Sequence, residues 1–127
     1  MTVRLAVMGN PIEHSQSPLI HAEFADLAGI DISYEKILVP EGQFQILAKD
    51  FMLEGLGLNI TLPCKGQAWQ LVDLRSEKAE LSQSVNTISL NNRGQIVGDN
   101  TDGGGLKRDL LYNLGWTLAD KRVLVLG

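Results

Sequence analysis

Short aliphatic runs alternate with amphipathic segments of helical periodicity along the chain. The aliphatic runs predict a buried strand at residues 3–8 and further strands at residues 32–39 and 57–62. A β-hairpin is predicted where residues 86–90 and 95–98 flank the turn sequence Asn91-Asn92-Arg93-Gly94. This alternation is typical of an α/β fold, and it predicts three layers, with a mostly parallel sheet and helices on both faces.

Helix starts are predicted from capping signals and apolar spacing. Ser17 at the N-cap and Pro18 after it begin the first helix, which Gly29 ends. Its predicted buried face consists of Ile20, Phe24 and Leu27. Further helices are predicted to begin at Pro40, Pro63, Glu77 and Thr101. The last of these is predicted to bury Leu106, Leu110 and Leu114.

The chain ends with an aliphatic run at residues 122–126, followed by Gly127. This run predicts another strand. A glycine after such a strand normally leads into a turn and a covering helix, and chain termini usually lie at the surface. We therefore expect this chain to be part of a longer protein.

Composition narrows the class of protein. The 127 residues are 44% apolar and 20% charged, with a net charge of −4, which suits a soluble globular domain. An acidic chain without a Lys/Arg cluster lacks the features of a nucleic-acid binder, and no apolar run is long enough to cross a membrane. The single cysteine, Cys64, excludes an intrachain disulfide and favours a reducing cytoplasm.

Four polar segments lie where predicted strands end or helices begin. They are residues 10–17, 59–65, 84–87 and 99–105. Ligands bind at the carboxyl ends of strands in parallel α/β sheets, so segments distant in sequence can meet at one crevice. We expect these four segments to form a single ligand site.

Lys65 and Asp102 are the candidate catalytic residues. Lys65 lies in a first helical turn, where the positive end of the helix dipole disfavours a cation and should lower the pKa of its amine. A lysine of this kind is suited to proton exchange with a reacting oxygen. Asp102 begins a helix before three consecutive glycines, and across the crevice its carboxylate can hold the Lys65 ammonium.

The remaining candidates are ligand-binding residues. Ser15 and Ser17 offer two hydroxyls beside a helix N-terminus, a place suited to an anion such as a carboxylate. Neutral donors and acceptors suited to the hydroxyls of a small polyol come from Asn59, Thr61, Asn86 and Thr87. No metal site is expected, because Cys64 has no CxxC partner and His14 and His21 are not spaced as a ligand pair. Both histidines are predicted to be surface or helix-end residues.

Taken together, GNPIEHSQSPLIH, NITLPCK, SVNT and GDNTDGGGL resemble, in order and spacing, the amino-terminal domain of shikimate dehydrogenases. Members of that family reduce 3-dehydroshikimate to shikimate with NADPH in aromatic amino-acid biosynthesis. The resemblance implies that Lys65 and Asp102 form the catalytic pair and that Ser15 and Ser17 hold the substrate carboxylate. It further implies that Thr61 and Asn86 bind ring hydroxyls.

The resemblance also has implications for cofactor and domains. It places Glu77 near the nicotinamide and Gly127 at the start of a glycine-rich NADP-binding turn. Residues 1–120 would then form the substrate-binding and catalytic domain, and residues 121–127 the first strand of a truncated NADP-binding domain. The Rossmann cofactor domain itself would be absent from this chain, which we therefore expect to be inactive alone.

Two other functions are compatible with the sequence. One is a quinate/shikimate dehydrogenase that uses NAD. The other is a non-catalytic module that binds a hydroxylated cyclic carboxylate. The expected ligand is shikimate or 3-dehydroshikimate, and assembly into a homodimer is left open.

Overall fold

In the computed structural model, residues 1–126 are described, and they form one mixed sheet with helices packed against it. The strands within this range are β1 (Val3–Gly9), β2 (Ile32–Leu38), β3 (Gly57–Ile60), β4 (Leu74–Arg75), β5 (Thr87–Leu90) and β6 (Ile96–Asp99). The helices are α1 (Ser17–Ala28), α2 (Phe44–Phe51), α3 (Lys65–Leu71), α4 (Glu77–Ser82) and α5 (Asp102–Arg108), with a π-helical turn at Asp109–Asn113. The alternation of strands and helices confirms the predicted α/β class.

The six strands lie in the order β2-β1-β3-β5-β6-β4. β1 is parallel to both β2 and β3, and β4 is parallel to β6. The other two pairs, β3 with β5 and β5 with β6, are antiparallel, and the predicted hairpin forms the second of them. The carboxyl ends of β1 and β3 therefore meet at one edge of the sheet, beside the segment that enters β5.

The core lies between the sheet and the helices that cover it. Its largest fully buried side chains include Met8 of β1, Phe44 of α2, Leu58 of β3 and Ile88 of β5. Burying a side chain of this size contributes about 1.5–3 kcal/mol, so these contacts fix the strand ends that carry the polar segments.

The predicted buried face of α1 is wrong. Ile20, Phe24 and Leu27 are all exposed, and Ala25 is the buried residue of this helix. His21, one turn before Ala25, stacks on Tyr34 of β2 with ring centroids 4.6 Å apart. The helix therefore turns its His21 and Ala25 face towards the sheet, and helical periodicity alone could not show which face is covered.

Several predicted helix starts are also displaced. The helix expected at Pro40 begins at Phe44, because Gly42 takes a left-handed conformation with φ 76° and residues 40–43 form a turn. Similarly, α3 begins at Lys65 after a turn in which Cys64 N–H donates to the Thr61 carbonyl. At α1 the N-cap is Gln16 instead of Ser17.

The carboxyl-terminal part of the chain differs most from expectation. Leu106 and Leu114 are exposed and Leu110 is only partly buried, so the predicted buried side of this helix is wrong. Residues 122–126 form no strand. An extended segment needs a neighbouring strand to satisfy its backbone groups, and no described strand pairs with this one. Gly127 lies outside the described residues.

Candidate active site

A cleft of about 340 Å³ opens at the sheet edge where β1 and β3 end. All six residues predicted to bind substrate line it, namely Ser15, Ser17, Thr61, Lys65, Asn86 and Asp102. They come from four segments separated along the chain. The fold brings these segments together at the carboxyl ends of parallel strands, where ligands bind in α/β sheets. A volume of this size suits a small ligand of about one ring.

Lys65 and Asp102 form an ion pair within the cleft. The Lys65 Nζ atom donates to Asp102 Oδ2 over 2.5 Å. The side chain of Lys65 is 27% exposed and that of Asp102 is 53% exposed, so both remain accessible to a ligand. Lys65 lies in the first turn of α3 and Asp102 in the first turn of α5, which places an ammonium and a carboxylate at adjoining helix starts.

Asn86 holds the second oxygen of the Asp102 carboxylate. Its Nδ2 donates to Asp102 Oδ1 at 3.0 Å and to Thr101 Oγ1 at 2.8 Å. Its Oδ1 accepts from the Thr101 backbone N–H and from the Thr87 hydroxyl. An amide side chain has two donor hydrogens and two acceptor lone pairs, so every position on Asn86 is occupied. The amide therefore fixes the carboxylate that faces Lys65.

Asn100 positions the backbone at Asp102, a role that sequence reasoning missed. It is only 7% exposed. Its Nδ2 donates to the Ser84 hydroxyl at 2.7 Å, and its Oδ1 accepts from the Asp102 N–H at 3.0 Å. The motif GDNTDGGGL contains this residue, but its role depends on contact with Ser84, which is distant in sequence.

Ser15 and Ser17 line the cleft at the start of α1. The Ser15 hydroxyl oxygen accepts from the Ser17 backbone N–H at 3.2 Å. Ser15 therefore accepts from a backbone N–H that has no partner within the helix, which is the capping role predicted for Ser17. The positive end of the α1 dipole and two hydroxyl groups border the cleft there, which favours an anionic ligand group.

Asn59 also lines the cleft, and it accepts a hydrogen bond from the Tyr34 hydroxyl at 2.7 Å. Burial raises the pKa of Tyr34 to about 12, an effect that the Ser17 hydroxyl partly offsets. Tyr34 therefore stays protonated at neutral pH and remains a hydrogen-bond donor.

Both histidines line the cleft as well, although they were predicted only as surface or helix-end residues. His14 is exposed, whereas His21 is half-buried by its stack on Tyr34, with Nδ1 2.9 Å from the Ser17 carbonyl. The spacing of four residues between Ser17 and His21 fits one face of a helix, but it does not show that this face borders a cleft.

Of the two predicted cofactor residues, only Glu77 lies in the described part of the chain. Glu77 is exposed at the first position of α4 and is not among the residues that line the cleft, and Gly127 is outside the described range.

Within residues 1–126, no three His, Cys, Asp or Glu side chains are grouped closely enough to hold a metal ion. No helix in the same range is both long and apolar enough to span a membrane.

A mixed α/β sheet with a lysine–carboxylate pair in a polar cleft at its strand ends is an arrangement typical of a domain for a small polar ligand. The family described as the shikimate dehydrogenase substrate binding domain matches residues 7–88. This chain belongs to that family.

Its relatives support the same assignment. A shikimate dehydrogenase (NADP(+)) of Alkalilimnicola ehrlichii is 54% identical over the whole of this chain, which covers 47% of that protein. The crystal structure of an Ael1 enzyme from Pseudomonas putida is 40% identical, with a TM-score of 0.88, covering 95% of this chain and 45% of that one.

The shikimate 5-dehydrogenase of Thermus thermophilus, solved with NADP(H) and shikimate, is 33% identical with a TM-score of 0.83. The match covers 92% of this chain and 44% of that one. This chain thus spans about half the length of the relatives that it matches.

Proposed function

We propose that this chain is the substrate-binding half of an NADP-dependent shikimate dehydrogenase, the enzyme that interconverts 3-dehydroshikimate and shikimate in aromatic amino-acid biosynthesis. The observation that carries the proposal is the Lys65–Asp102 pair, at 2.5 Å, in a cleft that is also lined by hydroxyl and amide groups. The names of the relatives favour this function over an NAD-dependent quinate enzyme and over a non-catalytic binding module.

In this proposal the substrate carboxylate lies against Ser15 and Ser17, at the positive end of α1. The ring hydroxyls meet Thr61 and Asn86, whose amide exchanges its contact with the Thr101 hydroxyl for one with the substrate. This orientation brings the oxygen at the reacting carbon towards the ammonium of Lys65, since Lys65 and the two serines line the same cleft.

Lys65 acts as the proton donor in the direction of ketone reduction. Its Nζ gives a proton to the substrate oxygen as that oxygen gains negative charge, and takes the proton back in the reverse reaction. Asp102 keeps the ammonium in place and accepts a hydrogen bond from the substrate hydroxyl. Asn86 and Asn100 hold Asp102 in position through the side chain and the backbone respectively.

The starts of α4 and α5 do not suit the phosphates of NADP. The glycines after β6 begin α5, but Asp102 opens this helix and its carboxylate repels a phosphate. Glu77 likewise places a carboxylate at the start of α4, and its position near the nicotinamide stays a prediction. We therefore assign the cofactor to the part of the relatives that this chain does not cover.

The domain arrangement follows the same proposal. Residues 1–120 act as the substrate-binding and catalytic domain in a three-layer arrangement, and residues 121–127 lead into the cofactor domain. The cytoplasm is the proposed compartment, because Cys64 is a free buried thiol and the proposed pathway is biosynthetic. A homodimer stays a prediction.

The test is an assay of the full-length enzyme that carries this chain. Reduction of NADP+ is expected with shikimate, with a higher kcat/KM than for quinate and NAD+. The 127-residue chain alone is expected to show no turnover, since most of the coenzyme site is assigned outside it. Failure of the full-length enzyme to oxidise shikimate, or a preference for quinate with NAD+, would contradict the proposal.

A further inference from the structure

Tyr34 lies beside the cleft and has no role in the function described so far. It belongs to the edge strand β2, opposite Leu5 of β1. Adjacent strands are about 4.8 Å apart, so its side chain must extend over β1 to reach β3. There its hydroxyl donates to Asn59 Oδ1 at 2.7 Å, and its ring stacks on His21.

The other contacts of Asn59 are much weaker. Its Nδ2 lies 3.5 Å from both the Asn86 carbonyl and the Thr87 hydroxyl, at the outer limit of a hydrogen bond. A carbonyl can only accept, so Nδ2 must be on that side and Oδ1 must face Tyr34. The Tyr34 bond is therefore the strongest of the described contacts that set the direction of this amide.

Asn59 also connects Tyr34 to the catalytic pair. The Thr87 hydroxyl, which Asn59 Nδ2 approaches, donates to Asn86 Oδ1 at 2.9 Å. Asn86 in turn donates to Asp102. A continuous set of polar contacts thus runs from the edge of the sheet to Lys65, and Tyr34 begins it.

We propose that Tyr34 is a positioning residue, whose hydroxyl holds the Asn59 amide in the orientation in which it binds a hydroxyl of the substrate. This inference rests on the proposed function, in which a polyhydroxylated cyclic carboxylate occupies the cleft. Tyr34 acts through Asn59 and does not itself contact the ligand.

The test uses Tyr34→Phe, which removes the hydroxyl and keeps the ring on His21. Tyr112→Phe is the matched control, because Tyr112 is exposed on the π-helical turn and does not line the cleft. In heteronuclear NMR spectra of this chain, Tyr34→Phe is expected to shift and broaden the Asn59 side-chain amide signals, whereas Tyr112→Phe leaves them unchanged. This readout needs no ligand.

The second measurement is a shikimate titration. Loss of one neutral hydrogen bond predicts that Tyr34→Phe raises the Kd about fivefold to tenfold. In an Asn59→Ala background, most of the effect of Tyr34→Phe should disappear, because Tyr34 acts mainly through Asn59, and any small remainder reports the contact of Tyr34 with the Ser17 hydroxyl. An unchanged Asn59 amide, or a full effect of Tyr34→Phe without Asn59, would overturn the positioning role. Absence of shikimate binding by the unmodified chain would instead overturn the proposed function, whatever the amide signals show, and with it the ligand-directed role of Tyr34.

Discussion

Replacement of Lys65 by methionine separates the chemistry of the cleft from its stability. Methionine has similar length but no proton to exchange. The ion pair with Asp102 is short, at 2.5 Å, but the carboxylate is about half exposed. Exposed pairs of this kind contribute about 0–1 kcal/mol, so the free energy of unfolding should fall by no more than that.

The effect on catalysis should be far larger. A positioned general acid–base group accelerates a reaction by about 10²–10⁴-fold. Loss of an acceleration of about 10²-fold raises the activation free energy by about 2.7 kcal/mol. In the full-length enzyme, Lys65→Met is therefore expected to lower kcat for shikimate oxidation by at least roughly 10²-fold while KM changes little.

Steady-state kinetics and a thermal melt on the same preparation check both values. Lys49→Met is the matched control, because Lys49 lies exposed near the end of α2 and does not line the cleft. An unchanged kcat would remove Lys65 from the proton transfer. A raised KM with an unchanged kcat would leave it a binding residue only.

Three further outcomes are expected. Ser76→Ala removes the α4 cap to Ala79 and the hydrogen bond that lowers the pKa of Asp99, so it should cost about 1–2 kcal/mol in a denaturant melt at neutral pH. A lowered carboxyl pKa contributes its full stabilisation above the unfolded-state pKa and loses it as the pH falls through the folded-state pKa. The difference between Ser76→Ala and the unmodified chain should therefore narrow below about pH 4, and a constant difference would argue against the Asp99 contact. Asn100→Ala should lower the free energy of unfolding by about 1–3 kcal/mol, because it leaves buried polar groups without partners, and an unchanged melt would contradict that. Cys64 is 2% exposed and burial raises the pKa of its thiol, so alkylation should be fast only in denaturant; rapid labelling of the folded chain would refute this.

The sequence was most informative about the strands and the site that they carry. The apolar run of β1, the hairpin of β5 and β6, and the bounds of α4 were all predicted closely. The six predicted substrate residues line one cleft because the ends of β1 and β3 lie side by side, and this proximity follows from sheet topology alone.

What the sequence could not provide depends on contacts between distant residues. The spacing of Ile20, Phe24 and Leu27 marks one face of α1, but only the packed structure shows that His21 and Ala25 face the sheet. Tyr34 belongs to no motif, and the motif that contains Asn100 does not reveal its role, since both roles come from hydrogen bonds to distant residues, Asn59 and Ser84 respectively.

A crystal structure of this chain with shikimate would test the central claim most directly. The ring should occupy the cleft at the ends of β1 and β3, with Lys65 Nζ and the Asp102 carboxylate both within hydrogen-bond distance of the same hydroxyl oxygen. The carboxylate of the ligand should contact Ser15 and Ser17. A ring bound elsewhere, or bound so that Lys65 and Asp102 touch no common atom, would contradict the account.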